Sequence, residues 1–173
     1  NAGGAPYRPL AEGADRQHAR VVELNLLAPI YLSRAAHALM REQHDGGAIV
    51  MVGSVSGGRP SPGTAAYGAA KAGLESLARS MAMEWAADGV RVNTVVLGMA
   101  RTELTGLHYG DEAGVAAVSA TVPMGRLAEP EEVGDACVFL ASDAARYISG
   151  ASLAVHGGGE RPAFLDAANV NKP

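Results

Sequence analysis

The stretch Gly53-Ser54-Val55-Ser56-Gly57-Gly58, followed after a short loop by Ala66-Tyr67-Gly68-Ala69-Ala70-Lys71-Ala72-Gly73, places three proton-handling side chains at fixed spacing. It follows the apolar run Ala48-Ile49-Val50-Met51-Val52, which reads as a buried strand ending at Ser54. Downstream, Ala70, Leu74, Leu77, Met81 and Trp85 recur near the helical period, in a segment rich in Ala, Leu and Met. Residues four apart share a helix face, so Tyr67 and Lys71 lie side by side. Strand, turn and helix in that order make the fold α/β.

The lysine is conspicuous because the 173 residues hold twelve arginines and only two lysines, Lys71 and Lys172. An ammonium can take part in proton exchange, whereas a guanidinium stays protonated. A phenol ordinarily titrates near about 10, too high for acid–base work at neutral pH. A neighbouring ammonium favours the phenolate, so Lys71 is expected to pull the Tyr67 pKa down. Ser54, at the strand end, is placed to hydrogen-bond the same substrate oxygen.

Outward from this stretch the pattern alternates. A long helix is expected over 15–40, a strand over 48–53 and a helix over 65–87 that ends at Asp88-Gly89. A strand over 90–97, mixed loop and helix over 99–124, a helix over 130–141 and a short strand over 152–155 follow. Alternating strands and helices predict a doubly wound parallel sheet, with ligands bound beyond the carboxyl ends of its strands. Ser54 and Gly98 both stand at such ends. Pro130 suits a first helical turn, and Glu131 and Glu132 beside it belong to a helix start.

Composition narrows the function. Hydrophobic residues make up 48 % of the chain, enough for a core, and no apolar run reaches membrane-spanning length. A net charge of −4 without a basic patch argues against nucleic acid and anionic membranes as partners. These features predict a cytoplasmic protein, with the 173 residues forming one domain or the larger part of one. The five histidines have no metal-ligand spacing, so no metal is expected. The one cysteine, Cys137, sits in an apolar run and reads as a buried structural thiol; Trp85 reads as core.

Taken together, the serine and the Tyr-x-x-x-Lys motif resemble the active-site signature of the short-chain dehydrogenase/reductase family. Further stretches match in order over about residues 1–157. Asn1-Ala2-Gly3-Gly4 resembles the turn after the fourth strand, and Asn25 resembles the helix asparagine of the catalytic tetrad. The segment from Val90 to Gly98 resembles the sixth strand, and Thr102 falls at the nicotinamide-side threonine. Arg126 to Val133 and Tyr147-Ile148-Ser149-Gly150 resemble the last helix and the approach to the final strand. The usual Pro-Gly after the sixth strand is here Leu97-Gly98, with the glycine expected to allow close backbone approach to a ligand.

The resemblance implies a Rossmann-like fold and an NAD- or NADP-dependent oxidoreductase, near 3-oxoacyl-carrier-protein reductases and related bacterial alcohol dehydrogenases, that interconverts a small alcohol and a ketone. It implies Tyr67 as general acid/base, Lys71 as the residue that tunes it and holds the nicotinamide ribose, Ser54 on the substrate oxygen, and Asn25 in a proton relay. Asn1, Ala2, Gly3, Tyr67, Lys71, Gly98, Ala100 and Thr102 would line the cofactor, residues 99–124 would cover the substrate, and the two long helices would build a homotetramer or homodimer. No glycine-rich phosphate turn opens a helix in this sequence. The family comparison therefore implies some 80–90 further residues upstream that carry the first βα units, about two such units and two strands. A non-catalytic half-domain or scaffold that merely keeps the Tyr–Lys pair is the competing reading. Epimerase or dehydratase chemistry on the same pair is a third.

Overall fold

The computed structural model describes residues 3–168. Three parallel strands, β1 (Gly47–Ser54), β2 (Val90–Leu97) and β3 (Ser152–Val155), lie in the order β1-β2-β3. Register pairs Gly47 with Val90 and Ser54 with Leu97, so both strands finish at one level and Gly98 follows directly. This is the α/β parallel sheet expected, with strand bounds within a residue of those read from the apolar runs.

Alternation along β2 shows why helices cover both faces. Val90 and Val92 are buried in one core cluster with Leu74, Ala78, Met81, Ala82 and Trp85 of helix α3 (Ala65–Glu84) and its end. The intervening Arg91 turns the other way and caps helix α6 (Pro130–Ala141), donating to the carbonyls of Leu140 at 2.7 Å, Ala141 at 3.1 Å and Ser142 at 3.2 Å. Asn93, on that same side, donates to the Ile148 carbonyl at 2.8 Å and accepts from Ala151 N–H at 3.0 Å. Period-two alternation thus assigns one helix to each face.

The long helix expected over 15–40 forms, but not as a uniform α-helix. Helix α1 (Asp15–Val22) passes through a π-helical turn (Glu23–Leu27) into α2 (Ala28–Met40). The Ala28 N–H donates to the Glu23 carbonyl, five residues back. The cause is legible one residue later. An α-helical bond to the Asn25 carbonyl needs the N–H of residue 29, and residue 29 is proline.

Trp85 is core, as read. Helix α3 stops one residue before it, and a 3-10 turn (Ala86–Asp88) carries the chain to Gly89, whose φ of 72° reverses it into β2. His37 stacks on the Trp85 ring at 4.3 Å, and its Nε2 bonds Asp88 Oδ2 at 2.7 Å, tying the ends of α2 and α3.

Two short helices, α4 (Thr105–Tyr109) and α5 (Glu112–Thr121), occupy the mixed segment. At the start of α6, Glu132 accepts from the Glu129 N–H at 2.8 Å and pairs with Arg126 at 2.6 Å. The reading of that acidic pair as a helix start is correct. Cys137 departs from expectation, being only half-buried. Of the run 136–140 only Leu140 faces fully inward, while Val138 and Phe139 are exposed. Beyond β3 a short helix, α7 (Phe164–Ala167), was not foreseen; residues 169–173 of the tail lie outside the described residues. No helix among the described residues is long and apolar enough to cross a membrane.

Candidate active site

At the carboxyl end of β1, Ser54 has extended backbone and is 9 % exposed. Its Oγ accepts from the Ser56 N–H at 3.2 Å, which leaves the hydroxyl proton to be donated elsewhere. Tyr67, in the first turn of α3, is half-buried and within hydrogen-bond reach of that side chain.

Close packing brings the two together. An added Cβ at Gly57 would lie 2.7 Å from Ala72 N, and one at Gly68 would lie 2.7 Å from the Ser56 carbonyl oxygen. Main chain obstructs both positions, so residues 55–61 can lie flush on α3 only because both side chains are absent. Sequence reasoning missed these two glycines. Their signal was a glycine directly after Tyr67 and another two residues before the loop turns.

Lys71 is 7 % exposed and one turn below Tyr67. Its Nζ donates to the Val52 carbonyl at 2.7 Å and lies 5.6 Å from the centroid of the Tyr67 ring. One of three ammonium donors is thus committed to β1. Burial lowers the Lys71 pKa from its ordinary value. Burial also raises that of Tyr67, and the hydrogen bond with Ser54 only partly opposes it. The expected downward pull of Lys71 on the phenol is therefore not what this structure shows. The ammonium points at Val52 beneath the ring, and desolvation dominates.

Asn25, 1 % exposed, projects from the π-turn. Its Nδ2 donates to the carbonyls of Gly4 and Val21, each at 2.9 Å, and its Oδ1 accepts from the Gly4 N–H at 3.1 Å. Neighbouring Gly3 closes the group. A Cβ there would sit 3.0 Å from Asn25 Oδ1 and 3.7 Å from Lys71 Nζ. Ser54, Tyr67, Lys71, Asn25 and Gly3 are thereby gathered at one end of the sheet, as expected; Asn1 and Ala2 lie outside the described residues.

The other wall is less direct. Gly98 does permit a close approach, but to the chain itself, since a Cβ would lie 2.7 Å from His156 Cβ. Ala100 forms a single parallel bridge to Ala128. Thr102 is exposed; its N–H donates to Thr105 Oγ1 at 2.7 Å, and its own Oγ1 accepts from the Leu104 N–H at 3.2 Å. These residues follow β2 at the same sheet end as Ser54, without a hydrogen bond to the serine–tyrosine–lysine group.

This arrangement can deliver a proton from a phenol, hold an oxygen with a second hydroxyl and keep a cation close behind. Comparison with known proteins adds relatives. A family model described as enoyl-(acyl carrier protein) reductase matches residues 1–160. Cis-4-hydroxycyclohexanecarboxylate dehydrogenase of Sinomonas cyclohexanicum is 45 % identical over 160 residues, covering 91 % of this chain and 63 % of its own. The 3-oxoacyl-acyl-carrier-protein reductase of Escherichia coli (strain K12) is 40 % identical over 159 residues, covering 91 % and 64 %. Among solved structures, a 4-hydroxyisoleucine dehydrogenase mutant complexed with NADH and succinate superposes with a TM-score of 0.86 at 32 % identity, covering 93 % of this chain and 68 % of that one. The chain spans a little under two thirds of the length of the curated relatives it matches.

Proposed function

Because this chain belongs to the short-chain dehydrogenase/reductase family of oxidoreductases, we propose that the full-length protein interconverts an alcohol and a ketone, with Tyr67 as its general acid and base. The observation that carries this reading is the Ser54 hydroxyl, with its proton free to donate, beside a phenol that stands over a buried ammonium.

In reduction, Tyr67 gives its proton to the carbonyl oxygen of the substrate and Ser54 donates a hydrogen bond to that oxygen. Two donors aimed at a developing alkoxide stabilise it most where water is excluded. In oxidation Tyr67 takes the proton back. Lys71 faces the ring and the Gly3 main chain with donors to spare, so it can stabilise the phenolate as it forms. Asn25 holds the Gly3-Gly4 turn against that ammonium and supports the passage of a proton towards Lys71.

The residues present fit a nicotinamide dinucleotide. At Gly3 the bare main chain packs on the Asn25 carboxamide and close to the Lys71 ammonium, two of whose donors are uncommitted. Gly3, Lys71 and Tyr67 would hold its ribose side, and Gly98, Ala100 and Thr102 the opposite wall, with Asn1 and Ala2 ahead of Gly3. NAD or NADP, when bound, would supply the hydride. A solved relative in complex with NADH supports this. Large apolar side chains left exposed along the two long helices, among them Tyr31, Leu32, Leu39 and Met83, support assembly into a homodimer or homotetramer.

The test is cofactor binding and turnover by the full-length protein over a panel of ketones and alcohols, with Tyr67→Phe beside it. Turnover should fall by about 10²–10⁴-fold while the cofactor still binds. Failure to bind either NAD(H) or NADP(H) would favour the non-catalytic scaffold.

A further inference from the structure

A small recess opens beside Tyr67, between the chain that precedes α1 and the lead-in to α3. Its polar lining includes Arg8, Gln17 and His18, and it has no aspartate or glutamate. The Arg8 main chain is fixed, its N–H donating to the Gly63 carbonyl at 2.6 Å. Its guanidinium has no carboxylate partner among the described residues. Gln17 is already engaged, its Oε1 accepting from the Ala14 N–H at 3.2 Å. His18 shares the corner with Arg8. A Cβ added at Gly13 would lie 2.2 Å from His18 Nε2 and 3.1 Å from Arg8 Cδ. That Nε2 is buried and lacks a hydrogen-bond partner, an uncommon state for a buried polar atom.

The His18 Nε2 is turned against Gly13 and out of a ligand's reach, which leaves the exposed Arg8, without a carboxylate partner among the described residues, as the cation beside Tyr67, with small and apolar residues such as Pro6, Val21 and Ala66 completing the wall. A guanidinium binds a carboxylate through two parallel hydrogen bonds, more strongly than it binds a neutral group. We infer that this corner is a specificity-determining subsite for a carboxylate carried by the substrate away from its reacting carbon, with Arg8 as its principal residue. The substrate class is then a hydroxy acid and its oxo acid. The inference rests on the assignment of Tyr67 under the proposed function and deepens it.

The full-length protein and its Arg8→Gln and Arg8→Lys variants would be titrated calorimetrically with 4-hydroxyvalerate and with its methyl ester, and both compounds assayed for oxidation with NAD+ and NADP+. The unmodified protein should prefer the acid. Arg8→Gln should cut the acid-to-ester preference by roughly tenfold to a hundredfold, as expected for a lost charge-assisted bond, and Arg8→Lys should retain part of it. Equal binding of acid and ester by the unmodified protein, or an unchanged preference in Arg8→Gln, would overturn the inference. Arg8-dependent preference without any oxidation would leave it standing and count against the proposed function instead.

Discussion

Asn25 and Gly4 are joined through both polar groups of the glycine. The carboxamide oxygen accepts from its N–H at 3.1 Å, and the carboxamide nitrogen donates to its carbonyl at 2.9 Å. The same nitrogen reaches the Val21 carbonyl, so one side chain links the turn before α1 to the helix that carries it.

Removing that clasp should cost both stability and geometry. Asn25→Ala leaves several polar groups without partners, and a loss of about 2–3 kcal/mol is expected in denaturant unfolding. Asn25→Asp keeps only the accepting half and should fall between. An Asn25→Ala protein as stable as the parent would show that the clasp is incidental.

The phenol should titrate high in the protein without cofactor. Burial raises the Tyr67 pKa above its ordinary value of 10.0, and the bond to Ser54 draws it back. Ser54→Ala should therefore move the ultraviolet tyrosinate transition of Tyr67 further upward. The sign for stability follows, since a raised folded pKa means that stability is complete below the ordinary tyrosine pKa and is lost as pH climbs through the folded one. A downward shift in Ser54→Ala would sink the account.

Gly57→Ala and Gly68→Ala should each push residues 55–61 off α3. Main chain blocks both added methyls at 2.7 Å, and overpacking of this kind costs about 1–3 kcal/mol. Activity should fall more than stability suggests, because the displaced segment carries the Ser54 hydrogen bond. A crystal structure of Gly68→Ala with Ser54 unmoved would refute this.

Glu132 should titrate at about 2, held down by its bond with Arg126 and by the Glu129 N–H. Its stabilising share is present above the ordinary carboxylate range and is lost as pH falls towards 2. Arg126→Ala should raise the Glu132 value in a carboxyl NMR titration. No movement would show that the helix cap alone sets it.

Arg91→Met should loosen the end of α6. It withdraws a guanidinium from the carbonyls of Leu140, Ala141 and Ser142, and thermal unfolding should report a loss of about 1–3 kcal/mol. Amide exchange should quicken first over 138–142. Unchanged protection there would remove the capping role.

The sheet was legible because β1 is an apolar run with clear bounds and β2 alternates Val90 and Val92 with Arg91 and Asn93 before its apolar end, and α3 because its apolar positions keep helical spacing through Met81. Motif spacing put Ser54, Tyr67 and Lys71 together, and the family resemblance added Asn25. What escaped were features set by contact rather than pattern. The apolar run around Cys137 suggested burial, yet α6 lies against the sheet along one stripe and Val138 is 67 % exposed. The Tyr67 pKa followed desolvation, which no spacing encodes. The two glycines under residues 55–61 have meaning only once loop and helix touch.

The π-turn at Glu23–Leu27 also sets the phase of everything before it. One extra residue per turn means that α1 is rotated by about 100° against the course α2 alone would dictate. Deleting a residue from this turn would remove the extra step and swing His18 and Val21 away from Tyr67 by that same angle. The irregularity works as an indexing step, fixing which side of α1 forms the wall beside Tyr67.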